Sequence, residues 1–211
     1  MENQQQTLRG EIYLVLSALF RHAPTPEMVT FLSELETEQS QSAMQSAWNG
    51  LKQAAVASDQ QALNDEYQEL FIGIGRGEVM PFASWHLTGS LMEKPLASIR
   101  HDLELLGLER ADQVKEPEDH FAALCEVMSV LTEEEEELQQ VFFNKHLATW
   151  FGSLTKQIKA AKNADFYLAV AELTDAFMTL EQVRFSENLQ SGKSKLKIDV
   201  KNVTEYEQTQ Q

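Results

Sequence analysis

A chain of 211 residues, 43% hydrophobic and 24% charged, is long enough to bury a sizeable core in one large domain or two small ones. With 33 acidic against 17 basic residues its net charge is −16, which excludes nucleic acid and anionic membrane surfaces as partners and favours basic peptides. The single cysteine, Cys125, excludes an intrachain disulfide and fits a reducing compartment. The start Met1-Glu2-Asn3 lacks the basic and apolar regions of a secretory signal, and no run reaches the ~20 apolar residues of a membrane span. The expectation is a cytoplasmic protein.

Nearly every segment has helical period. Leu8, Ile12, Val15, Leu16 and Leu19 form a first stripe, ended by Pro24 and Pro26. Thr25 caps a second helix with Pro26 at its first position and Met28, Phe31, Leu32 and Leu35 on its apolar side. A third helix spans about 41–57, with Met44, Ala47, Trp48 and Leu51 in phase. Ser58 and Gln61 read as a capping box opening a fourth, which turns Leu63, Tyr67, Leu70 and Phe71 inward. Gly73, Gly75, Gly77 and Pro81 then break the pattern as far as about Lys94, with a short helix around Trp85, Leu87, Leu91 and Met92. Pro95 starts the next helix, carrying Leu96, Ile99, Leu103 and Leu106, and Gly107 is placed as its stop.

A polar connection leads to Glu116-Pro117-Glu118-Asp119-His120, followed by the apolar ladder Phe121, Leu124, Met128 and Leu131. Pro117 suits a first helical position, and Glu118 and Asp119 suit the positive end of the dipole, so a helix start is predicted here. Thr132 and Glu135 read as a further capping box. Leu138, Val141, Phe142, Trp150, Phe151, Leu154 and Ile158 follow over one long helix or two. A last helix opens near Asp165 with Phe166, Leu173, Phe177 and Leu180, and from about Gln190 the tail turns polar and lysine-rich, read as disordered or loosely docked. The predicted architecture is all-α, eight to ten helices, in an N-terminal half (1–115) and a C-terminal half (116–190), with an acidic hinge over 109–120 and a tail over 191–211. Such a hinge allows halves to exchange between two chains, so both a monomer and a helix-swapped homodimer are expected.

The chemical candidates thin out quickly. The glycine loop follows a helix, not a strand, and lacks the lysine of a P-loop. No histidine has a carboxylate three residues before it, as a di-iron bundle needs, and Cys125 has no thiolate partners, so no metal is expected. Cys125 reads as a small buried hydrophobe, Asp119 and His120 are adjacent and so not a ready dyad, and no G-x-S-x-G elbow occurs. No catalytic residue is assigned. The run Glu133–Glu137 reads as dipole complementation at a helix start. The crowding of three carboxylates and a histidine around Pro117 exceeds what a plain helix start needs, and Trp85 on a loop suits an interaction anchor.

Three pieces of the chain carry a resemblance. They are Tyr67-x-x-Leu70-Phe71 leading into a glycine loop, Pro81-Phe82-Ala83-Ser84-Trp85, and Leu106-Gly107-Leu108 followed by Glu116-Pro117-Glu118-Asp119-His120 and its apolar helix. Together they resemble the TorD/DmsD family of redox-enzyme maturation chaperones, over about residues 8–185. The family more often has tyrosine where Trp85 stands. The resemblance implies an all-helical, non-enzymatic, cytoplasmic chaperone. Its partners would be the apo form of a molybdenum-cofactor reductase of the trimethylamine N-oxide or dimethyl sulfoxide kind and that enzyme's twin-arginine signal peptide. It implies no required cofactor, and it carries GTP binding that no residue pattern here calls for. On this basis Glu116, Glu118 and Asp119 are expected to contact the leader's arginines, His120 and Trp85 to shape the adjoining pocket, and Tyr67 and Phe71 to support it from beneath. A nucleotide-regulated switch and a helical adaptor with another client are the alternative readings.

Overall fold

The computed structural model describes residues 2–36 and 41–187; the tail reading, over 191–211, lies outside the described residues. Ten α-helices are present among them: α1 Glu2–Arg21, α2 Pro26–Glu34, α3 Ala43–Ala57, α4 Gln60–Tyr67, α5 Ala83–Thr88, α6 Lys94–Leu105, α7 Phe121–Leu131, α8 Glu136–His146, α9 Phe151–Ala160 and α10 Phe166–Glu187. A single π-helical turn, Gln68–Ile72, extends α4. No described helix is long and apolar enough to cross a membrane.

The expected stripes build the core, with corrections in phase. Ile12, Leu16 and Leu19 of α1 are buried, but Leu8 of the same helix and Phe31 of α2 are about half exposed. Leu138 and Val141 point outward, as does Leu180. In α8 the inward positions are instead Gln139, Phe142, Phe143 and His146, two of them polar, which hides the true face from a hydrophobic count. The Gln139 side-chain N–H donates to Glu134 O at 2.9 Å, while its Oε1 is buried without a partner.

Helix ends follow capping chemistry, again with shifts. Thr25 and Ser42 cap α2 and α3 through their hydroxyls. Asp59, not Ser58, caps α4: its carboxylate accepts from Gln61 and Ala62 N–H, while the Ser58 hydroxyl bonds back to Ala54 O. Thr132 closes α7 rather than opening α8, its hydroxyl donating to Ser129 O, and Glu135 precedes α8 without a side-chain cap. Gly107 does stop α6. At φ +67° it lets its own N–H reach Glu104 O while Leu108 N–H reaches Leu103 O, the paired bonds of a Schellman end.

α1 lies along α7, and α3 lies along both α2 and α10, so helices from the first 115 residues are packed on helices from the remainder. A buried polar link joins the first helix to the last. Arg9 Nε and Nη2 donate to the two oxygens of Glu181 at 2.8 and 2.6 Å, and Tyr13 OH adds a bond of 2.8 Å. Arg9 and Glu181 are 8% and 3% exposed. Removing one partner strands the other charge away from water, so Glu181→Ala is expected to lower stability by about 3–5 kcal/mol, read as a shift of the urea midpoint.

Candidate peptide-binding site

The three motif segments meet in space. Phe71 and Tyr67 lie in the core beneath, their rings 5.1 Å apart, and Phe71 meets Phe20 at 5.8 Å and Tyr167 at 5.0 Å. The Tyr67 hydroxyl donates to Arg21 O at 2.7 Å, tying α4 to the end of α1. The glycine loop is a tight return after the π-helical turn. Gly73 has φ +60°, and a Cβ on Gly77 would stand 2.4 Å from Leu70 O, so neither position takes a larger residue without displacing backbone. This return delivers Val79, whose N–H donates to Leu70 O at 2.7 Å, and then Pro81.

From Pro81 the chain pairs with the third motif. Phe121 N–H donates to Pro81 O (2.8 Å) and Ala83 N–H to Asp119 O (2.9 Å), around an isolated antiparallel bridge between Phe82 and His120. The Asp119 carboxylate then accepts Ser84 N–H at 3.0 Å through Oδ2. The helix α5 has no side-chain cap of its own, so Asp119 supplies one from 35 residues away. Asp119 is 1% exposed, and its Oδ1 is buried without a partner.

The predicted helix start is corrected here. Pro117 sits in a turn closed by His120 N–H to Pro117 O, and α7 begins only at Phe121. His120 is the cap, its Nδ1 accepting Ala122 N–H at 3.1 Å. Burial pushes the imidazole pKa down to about 3, with the Arg21 charge adding to the effect, so the ring is neutral and free to accept. Its face packs edge-on against Phe82 at 4.9 Å. Trp85, half-buried on α5, lies under the Arg76 guanidinium at 4.8 Å.

The carboxylates therefore divide. Asp119 and His120 face inward and hold backbone, whereas Glu116 and Glu118 face a cavity of about 230 Å³ between α1, α6, α7 and the connection before α7. Its walls are apolar, from Leu103, Leu108, Val114, Val127 and Val130, and its charged groups include Arg21, Arg110 and Glu126. Glu118 bonds Arg100 at 2.9 Å and lies 3.5 Å from Arg110. Glu126 lies 2.7 Å from Arg21, with Glu116 at 4.0 Å from the same guanidinium. Arg21, Arg100, Arg110 and Glu126 carry no mark in the sequence, because their partners lie on other elements or far along the chain. Among the described residues no group of three or more His, Cys, Asp or Glu could hold a metal ion. Cys125 is buried, and burial raises its thiol pKa well above the usual value.

With this geometry in view, comparison with known proteins is direct. A family model described as nitrate reductase delta subunit matches residues 37–156, more than half of the chain. The chain belongs to this family. It is 28% identical to the chaperone protein TorD of Aliivibrio salmonicida over 82% of this chain and 92% of that one. It is 31% identical to a probable Tat proofreading chaperone, DmsD, of Haemophilus influenzae over 58% of this chain and 61% of that one. The fold matches a redox enzyme maturation protein of Archaeoglobus fulgidus with a TM-score of 0.56 at 20% identity, over 82% of this chain and 93% of that one. The family resemblance in the motifs is thereby borne out, and with it the all-helical class. The chain is a chaperone of this family, not an enzyme.

Two predictions follow from the buried start of α7. The folded pKa of His120 lies below the unfolded value of about 6.5, so unfolding takes up a proton below that pH. Stability is unaffected above about pH 6.5 and is lost as pH falls from there toward 3, by about 1.4 kcal/mol per unit. Burial lowers the pKa of His86 and His146 in the same direction. His120→Asn keeps a capping oxygen but does not titrate. Between pH 7 and 5 it should lose roughly 2 kcal/mol less stability than the parent, measured by urea unfolding at each pH. Asp119→Ala should release α5, giving faster amide exchange at Ser84 and altered Trp85 fluorescence. Its global cost should be about 1–3 kcal/mol, offset in part by removal of the unpartnered Oδ1.

Proposed function

We propose that this protein is a cytoplasmic chaperone for a molybdenum-cofactor reductase of the trimethylamine N-oxide type. It binds the apo enzyme and its twin-arginine leader before export. The observation that carries the reading is the cavity bearing Glu116, Glu118 and Glu126 on apolar walls. A guanidinium can be forked by a carboxylate there while its methylene stem lies on Leu108, Val114 and Val127. Glu116 and Glu126, whose side chains are 42% and 49% exposed, are the reachable partners. Asp119 and His120 act from behind, by holding α5 and the first turn of α7. Trp85, with Leu87, Leu91 and Met92 exposed beside it in the chain, offers the apolar surface for the rest of the leader. The names of the relatives support a maturation chaperone, and one of them includes Tat proofreading.

The hinge over 109–120 lies between helices that pack across it, α1 on α7 and α3 on α10. An exchange of halves between two chains would rebuild these same contacts, so the monomer and a helix-swapped homodimer are both proposed as working species.

Calorimetric titration with a synthetic twin-arginine leader tests the assignment. Saturable binding is expected, weakened by salt, by lysine in place of each arginine, and by Glu116→Gln with Glu126→Gln together. Equal affinity for the lysine leader, or no binding by a folded chain, would overturn it.

A further inference from the structure

The carboxylates at the cavity already hold arginines, and the arginines belong to this chain. Arg21 enters from the last turn of α1 onto Glu126 and Glu116, at 2.7 and 4.0 Å. Arg110 comes from the connection after α6. Its Nε lies 3.5 Å from Glu118, and its Nη1 donates to the carbonyls of Val114, Lys115 and Glu116 at 3.0 to 3.3 Å. That bonding draws the loop 110–116 over the cavity. Both guanidinium groups line the same space as the apolar walls. The side chain of Arg110 is 37% exposed; that of Arg21 is 19% exposed, with its Nε and Nη2 buried, so Arg21 is the more firmly held of the two. Arg100, on the outer side of Glu118, does not line the cavity and is left with that carboxylate whatever happens inside.

We infer that Arg21 and Arg110 are built-in competitors for the arginine site, so that an arginine peptide binds by exchange. An incoming guanidinium takes the inner oxygens of Glu126, Glu116 and Glu118, and the two resident side chains swing to solvent. The net number of arginine–carboxylate pairs is then nearly unchanged by binding. The favourable balance comes from the apolar stem and flanks of the peptide on Leu103, Leu108, Val127 and Val130. The device also explains how carboxylates can wait in a half-buried, apolar-walled cavity without the cost of standing unpaired there. A peptide with lysines gains less by exchange, because a point charge on a flexible stem does not span two carboxylates as the planar Arg21 guanidinium does between Glu126 and Glu116. The inference rests on the leader-binding reading above.

The test is the affinity of the full-length chain for the synthetic twin-arginine leader in three single variants, Arg21→Gln, Arg110→Gln and Arg184→Gln. Arg184 pairs with Glu136 on α8, away from the cavity, so its variant reports the general effect of removing one positive charge from an acidic protein. Arg21→Gln and Arg110→Gln should each bind the leader more tightly than Arg184→Gln by about two- to fivefold, the range set by a partly exposed ion pair. In the unmodified chain the Nε–Hε resonances of Arg21 and Arg110 should shift on saturation with leader, while that of Arg184 stays. Circular dichroism confirms that each variant is folded. Equal tightening in all three variants, or unshifted Arg21 and Arg110 resonances, would overturn the exchange and leave leader binding intact. Weaker binding in Arg21→Gln and Arg110→Gln would also overturn it, since both arginines would then belong to the binding surface. Failure of the unmodified chain and every variant to bind would remove the leader reading itself, and the exchange with it.

Discussion

The start of α7 is buried, and most of what surrounds it answers that constraint. His120, Phe121 and Ala122 are all at or below 5% exposure, yet the first turn of any helix carries N–H groups with no partner inside the helix. Water cannot supply acceptors there, so the chain does. Pro81 O takes Phe121 N–H, and the His120 ring takes Ala122 N–H. Phe121 itself meets Phe20 of α1 at 4.7 Å and Trp150 before α9 at 5.8 Å, so the same residue that must be capped also joins three parts of the core. A charged cap would be favoured by the dipole but costly to desolvate beside Phe82 and Phe121. A neutral imidazole accepts the hydrogen bond without that cost.

This requirement organises the site. Because Pro81 must lie against Phe121, the glycine return at 73–77 has to be tight, and because Ala83 and Ser84 then run past Asp119, α5 can be capped by a carboxylate from another motif. Three segments widely spaced in sequence become one unit for reasons of backbone hydrogen bonding. In the proposed binding role, that unit presents the half-buried Trp85 and, at the cavity, Glu116 with Glu118 behind it.

The helical class and the boundaries of most elements were legible because they depend on local signals. Thr25-Pro26, Pro95 and Gly107 act within a turn or two of themselves, and most of the apolar residues in phase on α1, α4 and α6 do face inward. Legibility failed where two local signals compete or where an inward face is polar. Ser58 and Asp59 are both good caps, and only packing chooses Asp59. Pro117 with two acids has the composition of a helix start, but the pairing of Asp119 with Ala83 and Ser84 holds those residues in a turn. Gln139 and His146 face inward on α8 and hide its phase. The site was half legible. The crowding of ionisable residues over 116–120 marked the place, but the sequence treats all of them alike. Which are buried, and which are matched by Arg21, Arg100 and Arg110, depends on contacts across 8 to 95 residues, for which no pattern in a single chain exists.

The net charge of −16 and the pairing at the cavity operate at different ranges. Beyond a Debye length of about 8 Å at physiological salt, an approaching basic segment meets only a screened field, which speeds encounter and discriminates poorly between arginine and lysine. Inside the cavity the charges are few and mostly matched, so the field is small and geometry decides. A site whose carboxylates stood bare would bind any cation that the acidic surface drew in. Under the proposed exchange, a site whose carboxylates already pair with Arg21 and Arg110 yields to a ligand that can replace those pairs and also cover Leu108, Val114 and Val127. Selectivity of this kind is gained at the expense of raw affinity. That trade suits a chaperone, which must hold a segment firmly enough to shield it and loosely enough to give it up.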